Sequence, residues 1–414
     1  MSKTSLALGN LRGYTILIVL GFHSVIAYIV SQPAAPFPFD SPPYGWLANP
    51  IVDADRWLGF DLFCATQFMY MMQLMFFLSG LFVWPSLQRK GAWAFLYERF
   101  VRLGVAFVLG VYLLMPLAYY PVYRITAVDA GWSAFWSHWL ALPFWPGGPL
   151  WFLSLVLVFN FIAAGLYWAA PRSGELLARL SAKAADDPIR FFLVLAGISA
   201  LAYLPLSRIF QPWDWVRFGP FAFQPSLALQ YAIYFFAGVL IGSYRLDRGL
   251  FAADGMPARR WGRWAAAAGA AFLLWIIPTA LTVKGEGEPL PGLQILSDFA
   301  LVLYAASACI ALAAIFLRFA AVRRPMLESL SESAYGMYLF HYLFVIWAQY
   351  ALLHVALPGV VKGTIVFTVT LALSWMTTAA VCRTSIGNRL IGGRRAEPAV
   401  AKPALSAESN QPVA

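Results

Sequence analysis

Apolar residues fall in ten long runs, and nearly all charges lie between them: Tyr14–Val30, Leu58–Val83, Val101–Tyr120, Leu150–Ala170, Phe191–Leu206, Ser226–Tyr244, Trp264–Leu281, Ser297–Phe319, Ala334–Val355 and Val360–Cys382. Each approaches or exceeds the roughly 20 residues that an α-helix needs to cross the hydrocarbon of a bilayer. Lipid offers the backbone no hydrogen-bond partner, so runs of this kind predict helices. The fold class expected is all-α, a polytopic integral membrane protein of about ten transmembrane helices. The fifth run is short and holds Pro205, so the parity of all later segments depends on it.

The loop charges test that parity. Alternate segments, beginning with the N-terminus, carry 23 of the 29 Lys and Arg, while the other loops hold only Arg56, Arg124, Arg208, Arg217, Lys284 and Lys362. Basic residues favour the cytoplasmic side, so strict alternation supports ten spans with both termini cytoplasmic. A missed helix would scramble the pattern. The first span carries a basic start like a signal peptide, but its length, its central His23 and its fit to the alternation read as a retained helix.

Composition agrees: 61% of 414 residues are hydrophobic and 12% charged, too little polar surface for a soluble protein of this size. The net charge of +10 sits in short loops, where topology accounts for it and nucleic acid is not implied. The three cysteines, Cys64, Cys309 and Cys382, lie in or beside apolar runs without metal-ligand spacing, so neither a disulfide framework nor a metal site is expected. "SQPAAPFPFDSPPYGW", "LPFWPGGPLW" and "VKGEGEPLPG" read as ordered outer turns, either walling a substrate mouth or anchoring the interface through their aromatics. Residues 386–414 read as a disordered cytoplasmic tail after a transmembrane domain spanning 1–385.

Chemistry enters through the few polar groups inside the runs. Of four histidines, His23 and His341 fall well inside spans, eight or nine residues from the cytoplasmic end, and His138 and His354 fall on the outer side. Their equal depth allows them to face one cavity. Arg12 precedes His23 by eleven residues, which returns to nearly the same helix face about 16 Å deeper. One helix face thus carries a cation at the water boundary and an imidazole near mid-membrane; the alternatives are a site and a snorkelling anchor beside a helix-packing histidine. Ser79 and Gly80 end "LMFFLSG", where small residues let backbones approach. Arg99 and Arg102 follow on one helix face, a pairing that suits phosphate and also ordinary topology. Ser331 or Ser333 is the expected N-cap of the ninth helix, and Tyr338 stands one turn before His341, placed to orient it. Asp61 is read as a capping group rather than a catalytic one.

Taken in order, "LRG…H" with Arg12 and His23, "FFLSG", Arg99/Arg102, "LWFL" with Trp151, and "SAYGMYLFH" resemble the membrane-bound acyltransferase 3 superfamily from about residue 8 to 385. The segment "FFLSGLFVWPSLQRKGAWAFLYERFVRLGVAF" is most similar to the glucan-biosynthesis C branch, which places succinyl groups on periplasmic glucans. The basic cluster after "FFLSG" is thinner than in some relatives, so Arg89 and Lys90 are expected to share in donor contacts. The resemblance implies an enzyme of the bacterial inner membrane that moves an acyl group, acetyl or succinyl, from cytoplasmic acyl-CoA to a carbohydrate hydroxyl at the outer face. His23 is then expected as the base, His341 as its partner, Arg12, Arg99 and Arg102 as donor-phosphate ligands, and Ser79, Trp151 and Tyr338 as supporting groups, with no metal. The rival class is a proton-coupled transporter or flippase of a glycan or lipid-linked substrate, which would use the same histidines as proton relays. No internal repeat supports it.

Overall fold

The computed structural model describes residues 2–170, 172–284 and 291–392. Among these, nine helices are long and apolar enough to cross a membrane: α1 (Lys3–Tyr28), α2 (Leu58–Lys90), α3 (Ala92–Thr126), α4 (Gly148–Ala169), α5 (Pro188–Ser207), α6 (Pro225–Gly242), α7 (Trp261–Leu281), α8 (Gly292–Phe319) and α10 (Gly359–Val381). The tenth expected run also folds, as α9 (Pro325–Leu352), but His341, Gln349 and four tyrosines leave it less apolar than the others. Its polar residues face protein: His341, Tyr338, Tyr342 and Gln349 are all buried. The doubtful fifth run forms a regular helix, with Pro205 inside its last turn, so the hydrogen bond that the missing N–H forgoes lies at the helix end rather than in its middle.

Two starts differ from expectation. Helix α1 begins at Lys3, capped by the Ser2 hydroxyl accepting from Ser5 N at 3.1 Å, so Arg12 lies inside the helix rather than at its end. Helix α9 begins at Pro325 with Arg324 at the N-cap, so neither Ser331 nor Ser333 caps it. Several short elements were not foreseen: a helix at Trp132–Ala141, an amphipathic helix at Ser173–Asp186, and a hairpin of β1 (Val216–Phe218) and β2 (Phe221–Phe223). Ser385–Leu390 forms one more short helix. That helix occupies the start of the tail expected to be disordered from 386; the rest of that tail, from 393 onward, and the centre of "VKGEGEPLPG", 285–290, lie outside the described residues.

Helix α1 is central and packs against α8, α9, α10 and part of α2. It runs parallel to α9, tied at both ends. Near its start, Asn10 Nδ2 donates to the carbonyls of Ala320 at 2.7 Å and Val322 at 3.3 Å; near its end, its His23 and Ser24 carbonyls accept from Gln349 Nε2 at 2.8 and 3.2 Å. A second tight pairing joins α6 to the middle of α2. A Cβ added at Gly238 would stand 2.2 Å from the Phe77 carbonyl oxygen, and one at Gly242 1.9 Å from that of Leu81. Only glycine permits this backbone contact, the small-residue packing that membrane helices use in place of a hydrophobic drive.

Beyond α1 the chain is held down by Asp61, whose carboxylate accepts from Val30 N at 2.7 Å and Ser31 N at 2.9 Å. Asp61 therefore satisfies two N–H groups of the chain as it leaves the first span. The same loop is fastened to α10 by Lys362, whose ammonium lies 2.9 Å from Asp53 and 2.7 Å from Asp55.

Candidate active site

The parallel pairing of α1 and α9 sets the depth of both membrane histidines. Gly13 of α1 lies level with Leu330 and Ser331 of α9, and His23 and His341 each follow some ten residues later, about 15 Å along their helices. Their ring centroids are 5.3 Å apart. The juxtaposition expected from equal depth is present. His23 is half-buried, whereas His341 is fully buried.

The His341 ring has a defined polarity. Its Nδ1 lies 2.6 Å from the Tyr338 carbonyl oxygen. A carbonyl only accepts, so in the neutral ring Nδ1 carries the proton and Nε2 keeps a lone pair. That Nε2 is buried with no partner among the described residues. The contact between Tyr338 and His341 runs through the tyrosine's backbone carbonyl; its hydroxyl donates instead to the Pro149 carbonyl.

Two cavities approach this pair from opposite faces. The first, about 550 Å³, opens at the face holding the start of α1 and the α8–α9 connection. Arg12, Arg99 and Arg102 all line it, together with Ser79 and Tyr338, and the structure adds Arg323 and Arg324. The Arg12 guanidinium lies over the Phe82 ring at 5.3 Å, and Arg102 over Tyr335 at 5.7 Å. The Tyr335 hydroxyl donates to the Arg102 carbonyl, tying α9 to a π-helical turn of α3 at Phe100–Val105. Such turns recur at functional sites because they re-aim side chains. Glu328 and Glu332 share the wall, but five guanidiniums leave the cavity positive. Ser79 donates to the Met75 carbonyl at 2.8 Å, its own helix, and presents only its outer side. Arg89 and Lys90 do not line this cavity; Lys90 pairs with Glu98.

The second cavity, about 230 Å³, opens on the opposite face among the connections between α1 and α2, α3 and α4, and α5 and α6. It is lined by His23, Tyr119, Tyr342, Gln349 and four tryptophans, Trp145, Trp151, Trp213 and Trp215. "SQPAAPFPFDSPPYGW" stops short of this wall, which takes Leu47, Ala48 and Pro50 beyond it, while "LPFWPGGPLW" lines it from Phe144 to Trp151. Trp151 packs edge-on against Trp215 at 5.3 Å. Arg217 enters from β1, and its partial burial pulls the guanidinium below its ordinary pKa.

A thin septum divides the cavities. Trp151 faces the second and its neighbour Phe152 the first; the Tyr338–Pro149 bond crosses between them, and His341 lines neither. The expectation of one chamber shared by histidines and guanidiniums is thus corrected: His23 lines the second cavity, the arginines line the first, and the Tyr338–Pro149 contact stands between the two. Arg323 and Arg324 were missed because a basic loop has an ordinary topological explanation. Their signal was position, immediately before the helix that carries His341.

Such a site can hold a polyanion on one side, an aromatic-stacking molecule on the other, and a proton acceptor between them. Among the described residues no group of three His, Cys, Asp or Glu is placed to hold a metal ion. No curated protein and no solved structure matches the chain. A family model, described as an acyltransferase domain, matches residues 6–379, a range that contains both histidines of the pair and all five arginines of the first cavity. With that match covering nearly its whole length, the chain belongs to the membrane acyltransferase 3 family.

Proposed function

We propose that the protein is an O-acyltransferase that takes an acyl group from acyl-CoA in the arginine-lined cavity and delivers it to a carbohydrate hydroxyl in the tryptophan-lined one. The observation that carries this reading is that His23, whose ring lies 5.3 Å from that of His341, lines a tryptophan-rich cavity that the Tyr338–Pro149 contact separates from an arginine-lined cavity opening on the opposite face. With both termini cytoplasmic, as the loop charges favour, the donor enters from the cytoplasm and the acceptor is a periplasmic glycan, a glucan in the branch the sequence most resembles. The membrane is then the bacterial inner membrane, and the group moved is acetyl or succinyl.

Guanidiniums suit the donor because they keep their charge and offer a planar fork of N–H donors to phosphate oxygens. Arg12, Arg99 and Arg102 hold the nucleotide phosphates, with Arg323 and Arg324 at the mouth. The thioester arm reaches past Tyr338, whose hydrogen bond to Pro149 parts to admit it. On the other side, indole faces stack on the apolar faces of a sugar ring while Gln349 and His23 meet its hydroxyls. His23 takes the proton from the acceptor hydroxyl as its oxygen attacks the thioester carbonyl carbon; the carbon–sulfur bond then breaks, and the proton passes to the departing CoA sulfur. His341 Nε2, an acceptor held in place, orients and polarises His23.

The test is release of CoA thiol by the purified protein given acyl-CoA and an oligosaccharide. Wild type is expected to turn over and His23→Ala to lose about 10²-fold or more in kcat while eluting as folded protein. Equal turnover in the variant refutes the base assignment. Thiol release by neither protein, with glycan movement across vesicles instead, supports the transporter reading.

A further inference from the structure

The second cavity carries one cation that the reaction outlined above does not use. Arg217 sits at the centre of β1, and among the described residues no Asp or Glu lines the cavity with it. It forms no ion pair and no hydrogen bond with any described residue, although a guanidinium offers five N–H donors. Its recorded contact is with the Phe144 ring, 6.0 Å away, at the outer limit of a cation–π interaction.

The hairpin holds this charge inward by construction. Side chains alternate along a strand, and here Val216 and Phe218 are turned outward and exposed while Arg217 between them is half-buried. An apolar outer face over an inward cation is the reverse of a hairpin that faces water. The hairpin is also fixed in place. Trp145 N donates to the Gly219 carbonyl at 3.0 Å at its turn, and Gln224, just after β2, donates to the Pro212 carbonyl at 2.6 Å and accepts from the Tyr231 hydroxyl at 2.7 Å. The cavity, about 230 Å³, has room for one sugar unit or a short acyl group.

We infer that Arg217 is an anion-recognition residue: the molecule occupying the tryptophan-lined cavity carries a carboxylate or similar anionic group that pairs with this guanidinium. The inference rests on the acceptor-side assignment of that cavity. The anion has two possible carriers. It is either a group on the acceptor sugar or a distal carboxylate on the acyl group itself, projected past the histidine pair while its thioester stays on the donor side.

Two matched pairs of probes separate these sources, read by thermal shift of the purified full-length protein so that no turnover is needed. Methyl glucuronide against methyl glucoside reports on the acceptor, and succinyl-CoA against butyryl-CoA on the acyl group. One pair is expected to show about tenfold tighter apparent binding of its anionic member, the size of one charge-assisted hydrogen bond. Arg217→Gln should abolish that preference, and Arg217→Lys should keep part of it. Preference in the glucuronide pair assigns the anion to the acceptor; preference in the succinyl pair assigns it to the acyl group. No preference in either pair, or a preference that survives in Arg217→Gln, overturns the inference. If neither CoA thioester shifts the protein, the acyl-CoA reading is what fails, and the glucuronide pair still decides the role of Arg217.

Discussion

Lys362 is wholly buried at the start of α10, with Asp53, also buried, and Asp55, which is about half exposed, as its partners. Removing one member of a buried pair leaves the other charged and unsolvated, which costs about 3 kcal/mol or more. Lys362→Met is therefore expected to lower the thermal unfolding midpoint sharply, and adding Asp53→Asn should restore much of the loss; an unchanged midpoint in the single variant would show that the pair is solvated. Because this contact anchors the connection that supplies Leu47, Ala48 and Pro50 to the second cavity, the single variant should impair acceptor use more than donor use. If Arg99 and Arg102 hold donor phosphates as proposed, Arg99→Ala with Arg102→Ala would remove two contacts worth about 1.5 kcal/mol or more each, so the KM for acyl-CoA should rise at least about tenfold with kcat much less altered. A rise confined to the acceptor KM contradicts donor binding. At this scale the sequence was informative where a polar residue had no cheap explanation. His23 and His341 stood out because lipid penalises them, whereas Arg217 and Arg323 passed as ordinary loop cations whose orientation only the fold reveals.

At the scale of elements, the contact between α2 and α6 is set by glycine. Gly→Ala in a helix normally gains up to about 1 kcal/mol of propensity, so a substitution that destabilises must do so by collision. At Gly238 the new methyl would meet the Phe77 carbonyl at 2.2 Å, whereas at Gly165 it meets nothing within 4 Å. Gly238→Ala is expected to reduce the yield of monodisperse protein and its unfolding temperature, and Gly165→Ala to leave both unchanged or raised; similar behaviour of the two would mean that the helices are not in backbone contact. The nine long apolar helices among the described residues were legible because the bilayer demands a minimum length and an apolar composition. The short elements were not: Trp132–Ala141, with four aromatics in ten residues, lacks a polar stripe to mark its period, and the three-residue strands of the hairpin are too brief to show alternation. The septum was illegible for a different reason. It depends on Pro149 and Tyr338 meeting across 189 positions of chain, and nothing local encodes that pairing.

For the molecule as a whole, the chemistry depends on sidedness, because a donor site and an acceptor site on the same face would need no route through the membrane. The structure groups the start of α1, Arg323, Arg324 and the first cavity at one face, and the hairpin, the 142–151 turn and the second cavity at the other. Loop charge then gives direction: the first face carries most of the basic residues and should be cytoplasmic. Ser137 in the short helix after α3 and Lys183 in the helix before α5 are both exposed and belong to opposite faces, whereas Ser181 is buried against the Ile241 carbonyl at 3.2 Å and is unsuited to labelling. Single cysteines at Ser137 and Lys183 can be probed with a membrane-impermeant maleimide in intact spheroplasts. Cys64 and Cys309 are buried and contribute little background, and Cys382 is controlled by the parent protein. Ser137→Cys should label before lysis and Lys183→Cys only after it. Labelling in the reverse order would invert the protein, placing the arginine cavity outside the cell where acyl-CoA is absent; labelling of both before lysis would remove a span between them, and with it the two-sided access on which acyl transfer through the histidine pair depends.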